Sequence, residues 1–166
     1  LHYVSALTVA SQRALVDEAN PLLAPVELAP DESVSAYRTK REIWGADRTV
    51  VVLVSEQLRK GQMAGVMQHV AKAQEWLSDQ ADTLRRGKQR RDRARIERDL
   101  ENHLKGRQHL SEVLRFKLTG EDPHLTLTYE FDQAAFDALA QSTFGRLVLM
   151  TDRHDWSTAE IIRAYH

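Results

Sequence analysis

The run Arg48 to Ser55 constrains this chain more than any other stretch, because its centre is Val-Val-Val-Leu-Val with no polar alternation. A β-strand of that composition has to be covered on both faces, since neither set of alternating side chains tolerates water. Ser35 to Trp44 reads as its hairpin partner, joined through Gly45-Ala46-Asp47 as a three-residue loop. That partner carries Arg38, Lys40, Arg41 and Glu42, which places it at the sheet edge, with Tyr37 and Trp44 as packing anchors.

Around this hairpin the chain changes period. Leu1 to Val9 is rich in β-formers and predicts a strand, and Ser11 to Ala19 a short helix. Asn20-Pro21, Pro25 and Pro30 punctuate a connection over 21–34. From Leu58 to Leu118 apolar residues recur at helical steps. Met63, Val66, Met67, Val70, Leu77, Ala81 and Leu84 form one stripe, with the methionines as core filler. Ile96, Leu100, Leu104, Leu110, Val113 and Leu114 form the second. Two such stripes bury each other in an antiparallel helical hairpin turning near Gly87. Leu125, Leu127, Tyr129 and Phe131 alternate with polar residues as an amphipathic strand, and Asp132 caps a helix through Gln141. Leu147 to Met150 predicts a last buried strand, Thr151 to Trp156 a loop, and Ser157-Thr-Ala-Glu160 a capping box. Ile161, Ile162 and Tyr165 mark one face of the helix it opens.

Composition excludes several classes. The chain has no cysteine, so disulfides and thiolate metal sites are absent, which fits a reducing cytoplasm. No apolar run reaches the ~18 residues of a membrane span, so no membrane partner is expected. With 24 acids against 23 bases the net charge is −1, and a polyanionic partner can be recognised only through local clustering. One cluster exists: Arg85, Arg86, Lys88, Arg90, Arg91, Arg93, Arg95 and Arg98 face only Asp92 and Glu97, a net +6 over fourteen residues at the turn of the helical hairpin. Such a run is either a solvated helix surface or a grip on phosphate, where clustered arginine displaces counterions. No aromatic is interleaved, so base stacking is not indicated.

Catalytic signals are sparse. Asp152 and Asp155 follow a strand and can touch one metal, or serve as loop and capping residues. The histidines His2, His69, His103, His109, His124, His154 and His166 lack zinc spacing and read as surface or capping groups. There is no Gly-rich phosphate loop and no nucleophile elbow. On its residues alone the chain carries no complete active site.

The closing stretch FGRLVLMTDRHDWSTAEIIRAYH, from Phe144 to His166, resembles the strand, loop and helix that bring in the last catalytic carboxylate of bacterial insertion-sequence transposases with an Asp-Asp-Glu site. The branch is the one whose motif reads Tyr-x2-Arg-x3-Glu-x6-Lys, and Tyr165 matches its tyrosine. Tyr3 to Leu7 and Ala36 to Leu58 resemble the segment after the family's second aspartate.

The resemblance implies an α+β fold, part of a ribonuclease-H-like core with an inserted β-hairpin and long antiparallel helical hairpin. Residues 1–20 would be a core strand and short helix, 21–34 a linker, and 35–143 the insertion (β-hairpin 35–55, helical hairpin 58–118, strand and helix 124–141). Residues 144–166 would be the closing strand and the start of the final core helix. It further implies a fragment of a mobile-element DNA transposase, without the catalytic set and inactive alone. Its Asp152 and Asp155 would then be loop residues and Glu160 a cap, because the motif glutamate falls later. DNA (transposon ends and target) would be the partner, Mg²⁺ or Mn²⁺ the cofactor of the intact parent with none on this piece, and a homodimer the parent's form. The DNA contacts would be Arg85, Arg86, Lys88, Arg90, Arg91, Arg93, Arg95 and Tyr165, the last of these handling phosphate at the transposon end. The rival expectation is a non-enzymatic adaptor whose basic helical hairpin binds nucleic acid or a partner helix.

Overall fold

The computed structural model describes residues 1–87, 92–121 and 124–166. The chain is mixed α and β with antiparallel sheets, and it divides into two compact units, 1–62 with 140–166 and 63–139.

The first unit is built on a five-stranded sheet, in the order β1 (Val4–Leu7), β7 (Arg146–Thr151), β4 (Ala46–Val54), β3 (Glu32–Ile43), β2 (Ala24–Ala29), every neighbour antiparallel. The unalternated valine run lies in β4 at the centre of the sheet. Its even-numbered residues Val50 and Val52 meet Leu15, Val16 and Ala19 of helix α1 (Arg13–Ala19). Its odd-numbered Val51 and Leu53 meet Ile161 and Ile162 of helix α6 (Thr158–Tyr165). Helices on both faces are what a strand without a polar side requires.

Three expectations change here. The 21–34 connection contains a strand: β2 pairs with β3 and places Pro25 opposite Ser35. Proline fits because β2 is an edge strand, where a missing N–H costs no ladder bond. Accordingly β3 is interior, and two of its polar side chains find protein partners, while Lys40 and Glu42 stay exposed. Arg38 donates to the carbonyls of Trp156 (2.6 Å) and His154 (3.1 Å), and Arg41 pairs with Glu18. The hairpin loop has two residues, Trp44 and Gly45, both at positive φ, because the ladder continues to Ile43 opposite Ala46. Positive φ at both positions marks a type I′ turn, whose twist matches the strands. Trp44 is therefore 77% exposed and anchors nothing, while Tyr37 packs on the α1 side of the core.

The capping box forms as spelled. The Ser157 hydroxyl accepts from the Glu160 N–H (3.1 Å) and the Glu160 carboxylate accepts from the Ser157 N–H (2.7 Å). Replacing Ser157 with alanine should cost about 1 kcal/mol, measured by urea unfolding. Those Ser157 bonds hold the Glu160 carboxyl below its ordinary pKa. Its contribution is thus complete above the usual glutamate range and is lost as pH falls through the depressed value. An acid titration of thermal stability in a Glu160→Gln variant should lose part of the wild-type dependence in that window.

The second unit holds most of helix α2 (Glu56–Arg85), helix α3 (Arg93–Lys105), the one-turn helix α4 (Leu110–Val113), strands β5 (Leu114–Thr119) and β6 (Thr126–Phe131), and most of helix α5 (Gln133–Ser142). Val66, Val70, Ala73 and Leu77 of α2 and Ile96, Leu100 and Leu104 of α3 are buried, and Trp76 stacks on His103 with centroids 3.6 Å apart. His103 is thus engaged by a ring. Met67 is 40% exposed and is not core filler. The helical reading of Leu110 to Leu118 also changes. Helix α3 stops at Gly106, and Leu114 opens β5 opposite Phe131. Leu114, Phe116 and Leu118 satisfy a two-residue period as well as Leu110, Val113 and Leu114 satisfy a helical one. Pairing with β6 decides between them. The Asp132 carboxylate caps α5 by accepting from the Ala135 N–H at 2.9 Å.

The 35–143 insertion expected from the sequence is not one unit. Its hairpin 35–55 shares a sheet with the first and last strands, and the compact divisions fall after Gln62 and Leu139.

Candidate nucleic-acid interface

The basic turn is set by local rules. Gly87 ends α2 at φ +63°, and its N–H bonds the Leu84 carbonyl (3.1 Å). The Asp92 carboxylate then caps α3 through the Ala94 N–H (3.3 Å). Lys88, Arg90 and Arg91 lie outside the described residues. Because Ile96, Leu100 and Leu104 turn inward, Arg95 and Arg98 are left on the exposed side of α3. Arg86 is exposed too, and among the described residues none of these three makes an ion pair. Arg85 is solvent-facing but pairs with Asp82 at 2.7 Å. A surface pair of this kind exchanges readily for phosphate.

Arg93 differs from its neighbours. Its guanidinium donates to the carbonyls of Leu118 (2.9 Å) and Gly120 (3.1 Å), tying the start of α3 to the end of β5. Beside the turn, a cleft of about 460 Å³ runs between the last turn of α2 and the start of β6, with Arg85, Arg86 and His124 on its wall over Leu125 and Leu127. The exposed guanidiniums can pair bidentately with phosphate oxygens without reading sequence.

At the other candidate position, Tyr165 is 40% exposed and sits edge-on to His166. It does not share the buried face of Ile161 and Ile162. Those two fill the gap over Leu53 and Leu149, and one turn later the tyrosine lies outside that cluster.

Asp152 and Asp155 do not converge. Asp155 is held by Arg153 through two bonds (3.0 and 2.9 Å), and the Arg153 guanidinium lies 4.9 Å from the Trp156 ring centre. The Arg153 bonds keep the Asp155 carboxyl below its ordinary range. Partial desolvation of Asp152 would raise its pKa, but the His2 ring at 3.2 Å and the Tyr3 N–H outweigh that and leave it lowered. Among the described residues no group of three or more His, Asp or Glu is arranged to hold a metal ion.

Sequence reasoning missed the polar cluster at this end of the sheet, where His2 meets Asp152 and the Thr49 hydroxyl meets His154 Nδ1 at 2.7 Å. The partners are 150 and 105 residues apart, and only the pairing of β1 with β7 and of β7 with β4 joins them. No helix among the described residues is long and apolar enough to cross a membrane. Comparison of the chain with family models, curated proteins and solved structures finds no match.

Proposed function

We propose that this chain is an internal part of a bacterial insertion-sequence DNA transposase of the Asp-Asp-Glu type, with a ribonuclease-H-like core interrupted by the helical unit. The intact enzyme would hydrolyse a strand at the element's end and use the freed 3′-OH to attack target DNA, with Mg²⁺ or Mn²⁺ held by carboxylates outside this chain. The chain itself supplies scaffold and a grip on the DNA backbone.

The observation that carries the DNA contact is the set of exposed guanidiniums of Arg86, Arg95 and Arg98, which make no ion pair among the described residues, on either side of the connection between α2 and α3. In a chain of net charge −1, such a concentration of cations complements an anionic partner. The transposase reading rests on the resemblance of the closing segment and is supported by the exposure of Tyr165, the one motif residue present. A tyrosine that the core does not consume is free to meet a phosphate.

The test uses a 20-base-pair duplex and a variant with Arg86, Arg90, Arg91 and Arg95 changed to glutamine. Arg93 is spared because its loss would strand two carbonyls. Each phosphate contact contributes roughly 0.9 to the slope of log K against log salt, so the slope should flatten by up to about 4. Unchanged affinity and slope would reduce the turn to solvated surface. With Mg²⁺ present, the unsubstituted chain should neither nick nor join the duplex, and metal-dependent cleavage by pure chain would refute the placement of the ligands.

The compactness of unit 63–139 favours one rival, a non-enzymatic adaptor built on the basic hairpin. Sequencing the gene outward separates the two. The transposase requires an aspartate upstream of Leu1, and Arg, Glu and Lys at the motif spacing after Tyr165. Stop codons in their place would favour the adaptor.

A further inference from the structure

The tip of the β3–β4 hairpin gathers three features that work against the fold. Trp44 stands at φ +54° in a turn position that suits asparagine or glycine, and a bulky side chain is strained there. The same side chain is 77% exposed, so no burial offsets that strain. Behind it, Glu42 and Asp47 are directly opposite across the ladder, where like charges repel. Both are exposed, and neither makes an ion pair among the described residues. Beside the indole a cleft of about 510 Å³ is lined by Ala14, Leu15 and Ile43, with Glu42 and the Arg41–Glu18 pair on its wall.

We propose that this tip is a docking site for a protein segment carrying an arginine or lysine next to an apolar side chain. An indole face attracts a guanidinium or ammonium, and the free Glu42 and Asp47 carboxylates complement its charge. The cleft accepts the neighbouring apolar group. The same carboxylates repel a phosphate backbone, which sets this surface apart from the basic turn. The proposal stands whether or not the chain belongs to a transposase.

The probe is a synthetic peptide with the sequence of residues 85–98, which pairs arginines with Ile96. It is titrated into the intact chain while the indole N–H resonance of Trp44 is followed, assigned by its loss in W44N. A saturable shift is expected, at least tenfold weaker in the E42Q/D47N double variant. A copy of the peptide with its arginines replaced by glutamine should give none. W44N itself should melt roughly 2–4 °C higher, because Asn-Gly relieves the turn. No saturable shift, a shift indifferent to the Glu42 and Asp47 changes, or a larger shift with duplex DNA than with peptide would each overturn the proposal. A lower melting temperature for W44N would do the same, since it would show that the fold itself holds the indole.

Discussion

Replacing Gly145 with alanine should destabilise the first unit by about 3 kcal/mol or more, because strain and a backbone collision add. Gly145 stands at φ +79°, in the left-handed region. A Cβ there would lie 2.6 Å from Arg59 Cβ and 2.8 Å from the Ser55 carbonyl oxygen. The backbone cannot slide away to make room. Its N–H is bound to Gln62 Oε1 (2.7 Å) and its carbonyl accepts the Ser55 N–H (2.8 Å), so both sides are held against the first turns of α2. Urea unfolding should show the midpoint falling with the slope unchanged. A loss below about 1 kcal/mol, the size of an ordinary surface change, would mean that the turn relaxes freely. The consequence reaches the candidate site, because Gly145 aims β7, and β7 delivers the loop 152–156 and α6 with Tyr165.

A loss of similar size is expected one residue on. Arg146 is 8% exposed, and its guanidinium donates to the carbonyls of Ala140, Gln141 and Phe144 and to the Asn20 side-chain oxygen. Arg13 and Arg59 converge on the same helix end, bonding the carbonyls of Ser142 and Ala140. The last carbonyls of α5 have no helical partner, and cations there also oppose the negative end of its dipole. Burial, and then the neighbouring Arg59 and Arg13, press the Arg146 pKa below its usual value. It is the carbonyls that hold the charge in place. Changing Arg146 to methionine keeps the volume and removes every donor, at a cost of roughly 3–5 kcal/mol. Arg146→Lys should recover less than half of the loss, because one ammonium cannot span the geometry of a planar fork. Full recovery by lysine would mean that charge alone matters. Both variants are read by chemical denaturation, with far-UV circular dichroism reporting whether α5 frays.

The two junction residues and the basic turn affect different readouts. Gly145 and Arg146 govern whether the sheet carries its last strand, whereas Arg86 and Arg95 can be neutralised with the fold intact. Duplex binding that fell in a folded Arg86 and Arg95 variant would therefore report the surface, and not the scaffold.

What the sequence determined was local. The unalternated Val50–Leu53 run required two covering layers and received α1 and α6. The Ser157–Glu160 box, the Asp132 cap and the Gly87 stop act within four residues of themselves and form as spelled. The basic run at the helical turn was likewise visible, since charge density is a property of the string. Tertiary structure decided whatever depended on a distant partner. The proline-marked stretch became edge strand β2 only because β3 was there to pair with it. Leu114 left the helical period because Phe131 lay opposite. Trp44 and Tyr165 were exposed because the ladder and the isoleucine cluster ended before reaching them. His2 met Asp152 across 150 residues. Periodicity and caps are settled by neighbours a few residues away, but the identity of a strand's partner is set by competition among all the edges the chain offers.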